Sequence, residues 1–118
     1  MNGFTNNTAL PYSSNVEFIE ASVFSKRLYE YLSEEEYWGL QNFLVQYPQA
    51  GKVIAGSGGV RKLRWRTSGK GKRGGLRVIY YFKGRKKEIW LLTIYGKSEI
   101  ENIPAHILRK IAKELEDA

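Results

Sequence analysis

Gly58 to Phe82 reads GGVRKLRWRTSGKGKRGGLRVIYYF, and the fold turns on how this stretch is parsed. Two alternating runs, Val60 to Arg66 and Leu76 to Phe82, flank a Gly- and Lys-rich connector that no core absorbs. In the first run, alternation puts Lys62, Arg64 and Arg66 on one face of a strand and Leu63 and Trp65 on the other. One face suits water or an anion, the other a core. In the second run Arg77 interrupts an apolar and aromatic strand, so a guanidinium belongs at the sheet surface rather than in a solvated loop. That is a costly place for an idle charge.

A chain of 118 residues fits one domain with one core, not two. Its apolar content of 42% and aromatic content of 14% suit a folded globule. No cysteine is present, which excludes disulfides and thiolate metal sites, and a single histidine excludes a His-cluster metal centre. No apolar run approaches the ~20 residues of a membrane span, and no signal-like start is present. The expected setting is therefore the cytoplasm, and no cofactor is expected. The net charge of +7 hides a sharper asymmetry. Residues 52–97 hold fourteen Lys or Arg against one acid, Glu88, a net of +13; the remainder holds five basic and eleven acidic residues, a net of −6. Cations interleaved with aromatics on strands are the footprint of a polyanion binder, whereas a merely solvated basic surface scatters its charges.

Outward from the centre, residues 1–14 are rich in Asn, Thr and Ser without periodicity and read as an N-terminal tail preceding a domain over 15–118. Val16 to Glu20 alternates like a short strand, and Ser22 is placed to cap a helix through Leu32 bearing Phe24, Leu28, Tyr31 and Leu32 on one side. Ser33-Glu34-Glu35-Glu36 is a capping box opening a second helix. Tyr37, Leu40, Phe43, Leu44 and Tyr47 form its stripe, and Pro48 its stop. The three glutamates are a helix start before they are metal ligands, and the aromatics are core before they are a cofactor box. Gln49 to Gly59 reads as a loop; its glycines precede a strand rather than a helix, which excludes a phosphate-binding P-loop. Lys83 to Lys86 is a tight turn into Glu88 to Tyr95, a strand apolar on both faces and so central to the sheet. Ser98 to Glu101 is a second candidate capping box, Pro104 suits a first helical turn, and Ile107, Leu108, Ile111 and Leu115 form the last helix's apolar face, with His106 at its surface. The fold class is α+β: a mainly antiparallel twisted sheet with two N-terminal helices and a C-terminal helix.

The string RKLRWRTSGKGKRGGLRVIYYF, followed by WLLTIYGKSE, closely resembles the RelE/HigB superfamily of toxin–antitoxin ribonucleases, and within it the HigB branch. The resemblance runs from about Val16 to the C-terminus and rests on two linked blocks. It implies the compact RelE-like microbial ribonuclease fold and a ribosome-dependent endoribonuclease that cleaves mRNA in the A site and stops translation. It also implies a HigA-like helix-turn-helix antitoxin, with operator DNA bound only through the complex.

RNA cleavage by attack of its own 2′-hydroxyl needs a base for that hydroxyl, cations for charge developing on phosphorus, and an acid for the leaving 5′-oxygen. The basic strands offer neither a carboxylate cluster nor paired imidazoles, but they offer cations able to polarise a phosphate without a metal. By resemblance, Lys62 and Arg64 match the basic positions placed at the scissile phosphate. Arg77 matches a transition-state stabiliser, and Tyr95 a residue that stacks on a base or transfers a proton. Lys97 is implied as a phosphate contact. Many relatives carry a further tyrosine in the C-terminal helix; none follows Tyr95 here, which leaves the general base and acid open. Lys62 serves as base only where cationic neighbours depress its pKa. Lys70, Lys72 and Arg73 are candidate RNA contacts, because a Gly-rich connector lies close to a phosphate backbone but holds geometry poorly, and Arg66 at the end of the first run is a further candidate contact. Structural alternatives stay open: Tyr95 finishing a strand, Arg77 pairing with Glu88, and the whole basic face as a non-catalytic RNA-binding module. A DNA-binding antitoxin would need a helix-turn-helix, which the pattern does not offer.

Overall fold

The computed structural model describes residues 4–7, 15–66, 75–99 and 103–118. In chain order the elements are β1 (Phe4–Asn7), β2 (Glu17–Ala21), α1 (Ser22–Tyr31), α2 (Glu34–Gln46), β3 (Lys52–Val53), β4 (Arg61–Trp65), β5 (Leu76–Lys83), β6 (Glu88–Gly96) and α3 (Ala105–Asp117), with a short 3-10 turn, Gly84–Lys86, between β5 and β6. They form an α+β fold around one six-stranded sheet, in the order β1-β2-β6-β5-β4-β3. The sheet is mixed, because β2 and β6 run parallel while the other neighbouring pairs are antiparallel. The two helices and strands β3–β5 lie between β2 and β6 in sequence, which lets β6 come back beside β2 in the same direction.

Two strands lie where the sequence pattern gives none. Phe4–Asn7, inside the stretch read as a tail, pairs antiparallel with β2, and Lys52–Val53, inside the stretch read as a loop, pairs with β4. Neither segment carries alternation of its own; each is ordered by the unpaired backbone groups of a neighbouring strand. The loop holding β3 is fixed by two side chains. Arg61 donates to the carbonyls of Gln49 (3.1 Å) and Gly51 (2.7 Å), and the buried Tyr80 hydroxyl accepts from the Gly51 amide (2.9 Å) while donating to the Pro48 carbonyl (2.8 Å).

The expectation of one core is corrected: the sheet divides it in two. On one face α1 and α2 seal Phe18, Leu63, Val78, Tyr80, Ile89, Leu91 and Ile94 beneath Phe24, Leu28, Leu40 and Leu44. On the other, α3 covers Val60, Ile79, Tyr81 and Leu92 with Leu108, Ala112 and Leu115. A strand buried on both faces must be apolar at successive positions, which is why β6 shows no alternation.

Helix ends follow local chemistry. Ser33 accepts from the Glu36 amide (3.1 Å) and Glu36 accepts from the Ser33 amide (2.9 Å), the reciprocal capping box expected at α2. Ser22 is the first helical residue of α1 rather than its cap; the cap position is Ala21, without a side-chain bond. Ser98 to Glu101 does not open α3, which starts at Ala105 after Pro104, and Glu101 lies outside the described residues. In α3 the buried positions are Leu108, Ala112 and Leu115, while Ile107 is 38% exposed, so the apolar stripe is rotated from the one the sequence suggests.

Candidate nucleic-acid interface

Strand register decides which cations meet. Lys52 pairs with Lys62, Lys62 with Ile79, Arg64 with Arg77, and Arg77 with Tyr95. Directly paired residues share a face, so Lys52, Lys62, Arg64, Arg77 and Tyr95 all project on the α3 side of the sheet. Four of the sequence-predicted site residues, Lys62, Arg64, Arg77 and Tyr95, are thus brought together from three adjacent strands. Paired side chains stand about 4.5–5.5 Å apart at Cβ, and like charges in that position repel. Two such pairs, Lys52–Lys62 and Arg64–Arg77, occupy neighbouring positions of one sheet. Solvent screens this repulsion in part, and an anion lying across the row offsets it further.

A bulge puts Tyr95 on this face. Ile79 pairs with Thr93 but Tyr80 pairs with Leu91, which leaves Leu92 as an extra residue in β6. Leu92 and Thr93 therefore both face α3, Ile94 returns to the α1–α2 side, and Tyr95 comes up beside Arg77. Without the extra residue Tyr95 would be inverted into the opposite core.

Each group is held by its surroundings. Arg77 is half-buried, with its guanidinium donating to the Leu76 carbonyl at 3.4 Å. Tyr95 is 8% exposed and packs in the α3-side core. The alternative pairing of Arg77 with Glu88 is not seen: Glu88 lies opposite Lys83 at the far end of β6 and accepts from the Trp90 indole at 3.2 Å. Gly75, at φ +76, carries the chain into β5, and a Cβ there would come within 2.9 Å of the Trp65 carbonyl oxygen. This glycine of the connector is a steric requirement for bringing Arg77 alongside Arg64.

The turn after Tyr95 is anchored from the opposite layer. Glu99 accepts from the Gly96 amide (2.8 Å) and from the Tyr31 hydroxyl, and its other oxygen meets Arg27 at 3.4 Å. The Tyr31 hydrogen bond, then the Gly96 amide, hold the Glu99 carboxyl below the usual carboxylate range. Burial, followed by the Glu99 hydrogen bond, raises the Tyr31 phenol. Lys97 is exposed in this turn, and its amide bonds the Gly75 carbonyl at 3.3 Å. Arg66 is also exposed, just past β4. Lys70, Lys72 and Arg73 lie outside the described residues.

Lys52 is a member of this face that sequence reasoning counted only as charge; its signal was its place at the start of the basic block. Two other cations of that block serve the fold instead. Arg61 ties down the loop before β3, and Lys83, 2% exposed, donates to the carbonyls of Leu115 (2.6 Å) and Ala118 (2.8 Å) at the end of α3. The α3 attachment is completed by Tyr81, which donates to Glu116 at 2.6 Å; burial and that carboxylate push its phenol up to about 12.

Beside Lys62 the sheet and the start of α3 enclose a cavity of about 410 Å³ walled by Ile54, Ile79, Ile103 and Leu108, with Lys62 and Tyr95 contributing to its lining. The β3–β4 loop reaches this region because Gly58, at φ +78, passes under α3; a Cβ there would meet the Ala112 Cβ at 3.3 Å. Among the described residues no group of three or more His, Cys, Asp or Glu is placed to hold a metal ion, and no helix is long and apolar enough to cross a membrane. No protein-family model matches the chain, and what bears on its function is the chemistry of this face.

Proposed function

We propose that the chain is a metal-independent endoribonuclease of the RelE/HigB type, a toxin that cuts mRNA in the ribosomal A site and is neutralised by a HigA-like helix-turn-helix antitoxin. The observation that carries the reading is the cross-strand row Arg64–Arg77–Tyr95 with Lys62 in the adjoining position: three cations and a tyrosine facing one side of the sheet. In this reading Lys62 and Arg64 hold the non-bridging oxygens of the scissile phosphate. Arg77 stabilises the charge that grows there as the 2′-oxygen attacks phosphorus and the 5′-oxygen departs. Tyr95 borders the reacting nucleotide, while Arg66, Lys97 and the connector cations Lys70, Lys72 and Arg73 contact flanking RNA. The A-site setting and the antitoxin rest on the sequence resemblance.

A second reading, a non-catalytic RNA-binding module, is favoured by one observation: Tyr95 is 8% exposed, which suits a core residue better than a proton donor. The two are separated by incubating purified protein with programmed ribosomes in excess chelator and mapping transcript ends. Cleavage leaving a 2′,3′-cyclic or 3′ phosphate is expected. Intact message on intact ribosomes that have bound the protein would leave only the binding module.

A further inference from the structure

We propose that the cavity between the cationic strands and the start of α3 is a pocket for one unpaired nucleobase, so that the site recognises a base as well as a backbone. The inference rests on the RNA reading above and adds a specificity element to it. Ile54, Ile79, Ile103 and Leu108 give the cavity apolar walls, and its volume of about 410 Å³ lies near the lower end of the ~300–1,000 Å³ range of ligand pockets. An occupant must therefore be compact and largely apolar. The same cavity borders Lys62, which forms the like-charge pair Lys52–Lys62 and neighbours the pair Arg64–Arg77. The occupant is thus tethered to several anionic groups. A nucleobase on its sugar-phosphate chain meets both conditions: its ring faces are apolar enough for the isoleucine walls and the Tyr95 ring, and its phosphates run along the cations.

Thr93 supplies a second, independent observation. Its hydroxyl is buried without a hydrogen-bond partner among the described residues, and it belongs to the cross-strand row Lys62–Ile79–Thr93, whose other two members line the cavity. Native structures rarely leave such a group unpaired. Thr93 is not itself a lining residue but neighbours two that are, Ile79 across the strands and Tyr95 two positions on; the polar edge of a base seated deeply against them restores its partner, which makes Thr93 the residue that discriminates among bases. A paired base cannot leave its helix without losing stacking and pairing, so the pocket favours single strands.

The test uses full-length protein and a single-stranded RNA hexamer that is 2′-O-methylated to prevent cleavage, beside the same hexamer with every base removed. Wild-type protein should bind the intact hexamer about tenfold more tightly than the abasic one, the size expected for one sequestered base. Ile103→Trp, which fills the half-exposed side of the cavity, should abolish that difference and leave abasic binding and its salt dependence unchanged. Ile54→Trp provides the same test from the opposite wall if Ile103→Trp fails to fold. Thr93→Val should keep affinity for the intact hexamer within a few-fold but flatten its preference among four homopolymeric hexamers. Equal, salt-sensitive binding of intact and abasic RNA by wild type overturns the pocket while leaving the RNA reading in place. Binding of neither RNA at low salt, together with uncut ribosome-bound message, removes the RNA reading and the pocket with it.

Discussion

The two faces of the sheet are built from the same strands, residue by residue in alternation, yet they are finished differently. Beneath α1 and α2, Phe18, Val78, Tyr80, Ile89, Leu91 and Ile94 are fully sealed. Beneath α3, sealing stops part way: Val60, Leu92 and Tyr81 are covered, but Lys62 and Arg64 stay exposed beside Arg77. The first face is stabilised chiefly by burial, with its buried Tyr80 hydroxyl hydrogen-bonded to Gly51 and Pro48. The second holds like charges in register, which solvent screens in part and a bound anion offsets further. The α1–α2 side is sealed throughout, whereas the α3 side combines a smaller core with exposed cations, so truncation at Leu91 and at Lys62 should have opposite effects on stability.

The largest effect is expected on the sealed side. Leu91→Ala removes a fully buried side chain that cannot be replaced by solvent, and should lower unfolding free energy by about 2–5 kcal/mol in a denaturant titration. A loss below 1 kcal/mol would mean that this face is looser than its burial indicates. On the open side, the proposed ribonuclease reading predicts that Arg77→Ala slows single-turnover cleavage at saturating ribosomes about a hundredfold, equivalent to about 3 kcal/mol of transition-state stabilisation. Ribosome affinity should change far less, because Lys52, Lys62 and Arg64 share the ground-state attraction. Wild-type cleavage by bound Arg77→Ala protein would reassign this residue to binding or structure.

A smaller effect tests the sign of the comparison. Lys62→Ala relieves repulsion with Lys52 and should raise stability by on the order of 0.5 kcal/mol at low ionic strength, fading as salt is added. Destabilisation of the same size would show that the row is not strained. The smallest effect concerns the anchor of the turn after Tyr95. Because the folded state holds Glu99 below the ordinary carboxylate range, its contribution is present above that range and is lost as pH falls through the lowered folded value. Carbon-detected NMR titration of the Glu99 carboxyl should give a midpoint below that of an unstructured glutamate. The Gly96 amide shift should move with it, and Tyr31→Phe should return both toward the ordinary value.

Much of this was legible in order along the chain. The capping box at Ser33 and Glu36 is a local exchange of hydrogen bonds, and the sequence spacing is sufficient to specify it. The alternation of Lys62, Leu63, Arg64 and Trp65 assigns faces within β4 for the same reason: each depends only on neighbours in sequence. The two short strands were not legible, because Phe4–Asn7 and Lys52–Val53 are specified by partners elsewhere. The burial of Lys83 was hidden too; its charge counts identically in composition whether it faces RNA or closes the end of α3.

By itself the sequence determined an α+β domain with a concentrated basic block, the three consecutive strands β4, β5 and β6, and the cationic side of β4, since these follow from composition, apolar runs and period-two patterning. The tertiary structure alone decided that Arg64, Arg77 and Tyr95 form one row. WLLTIY is apolar at almost every position, so its side chains carry no record of which face each takes. The extra residue at Leu92 sets that, and it exists only in the pairing of β6 with β5.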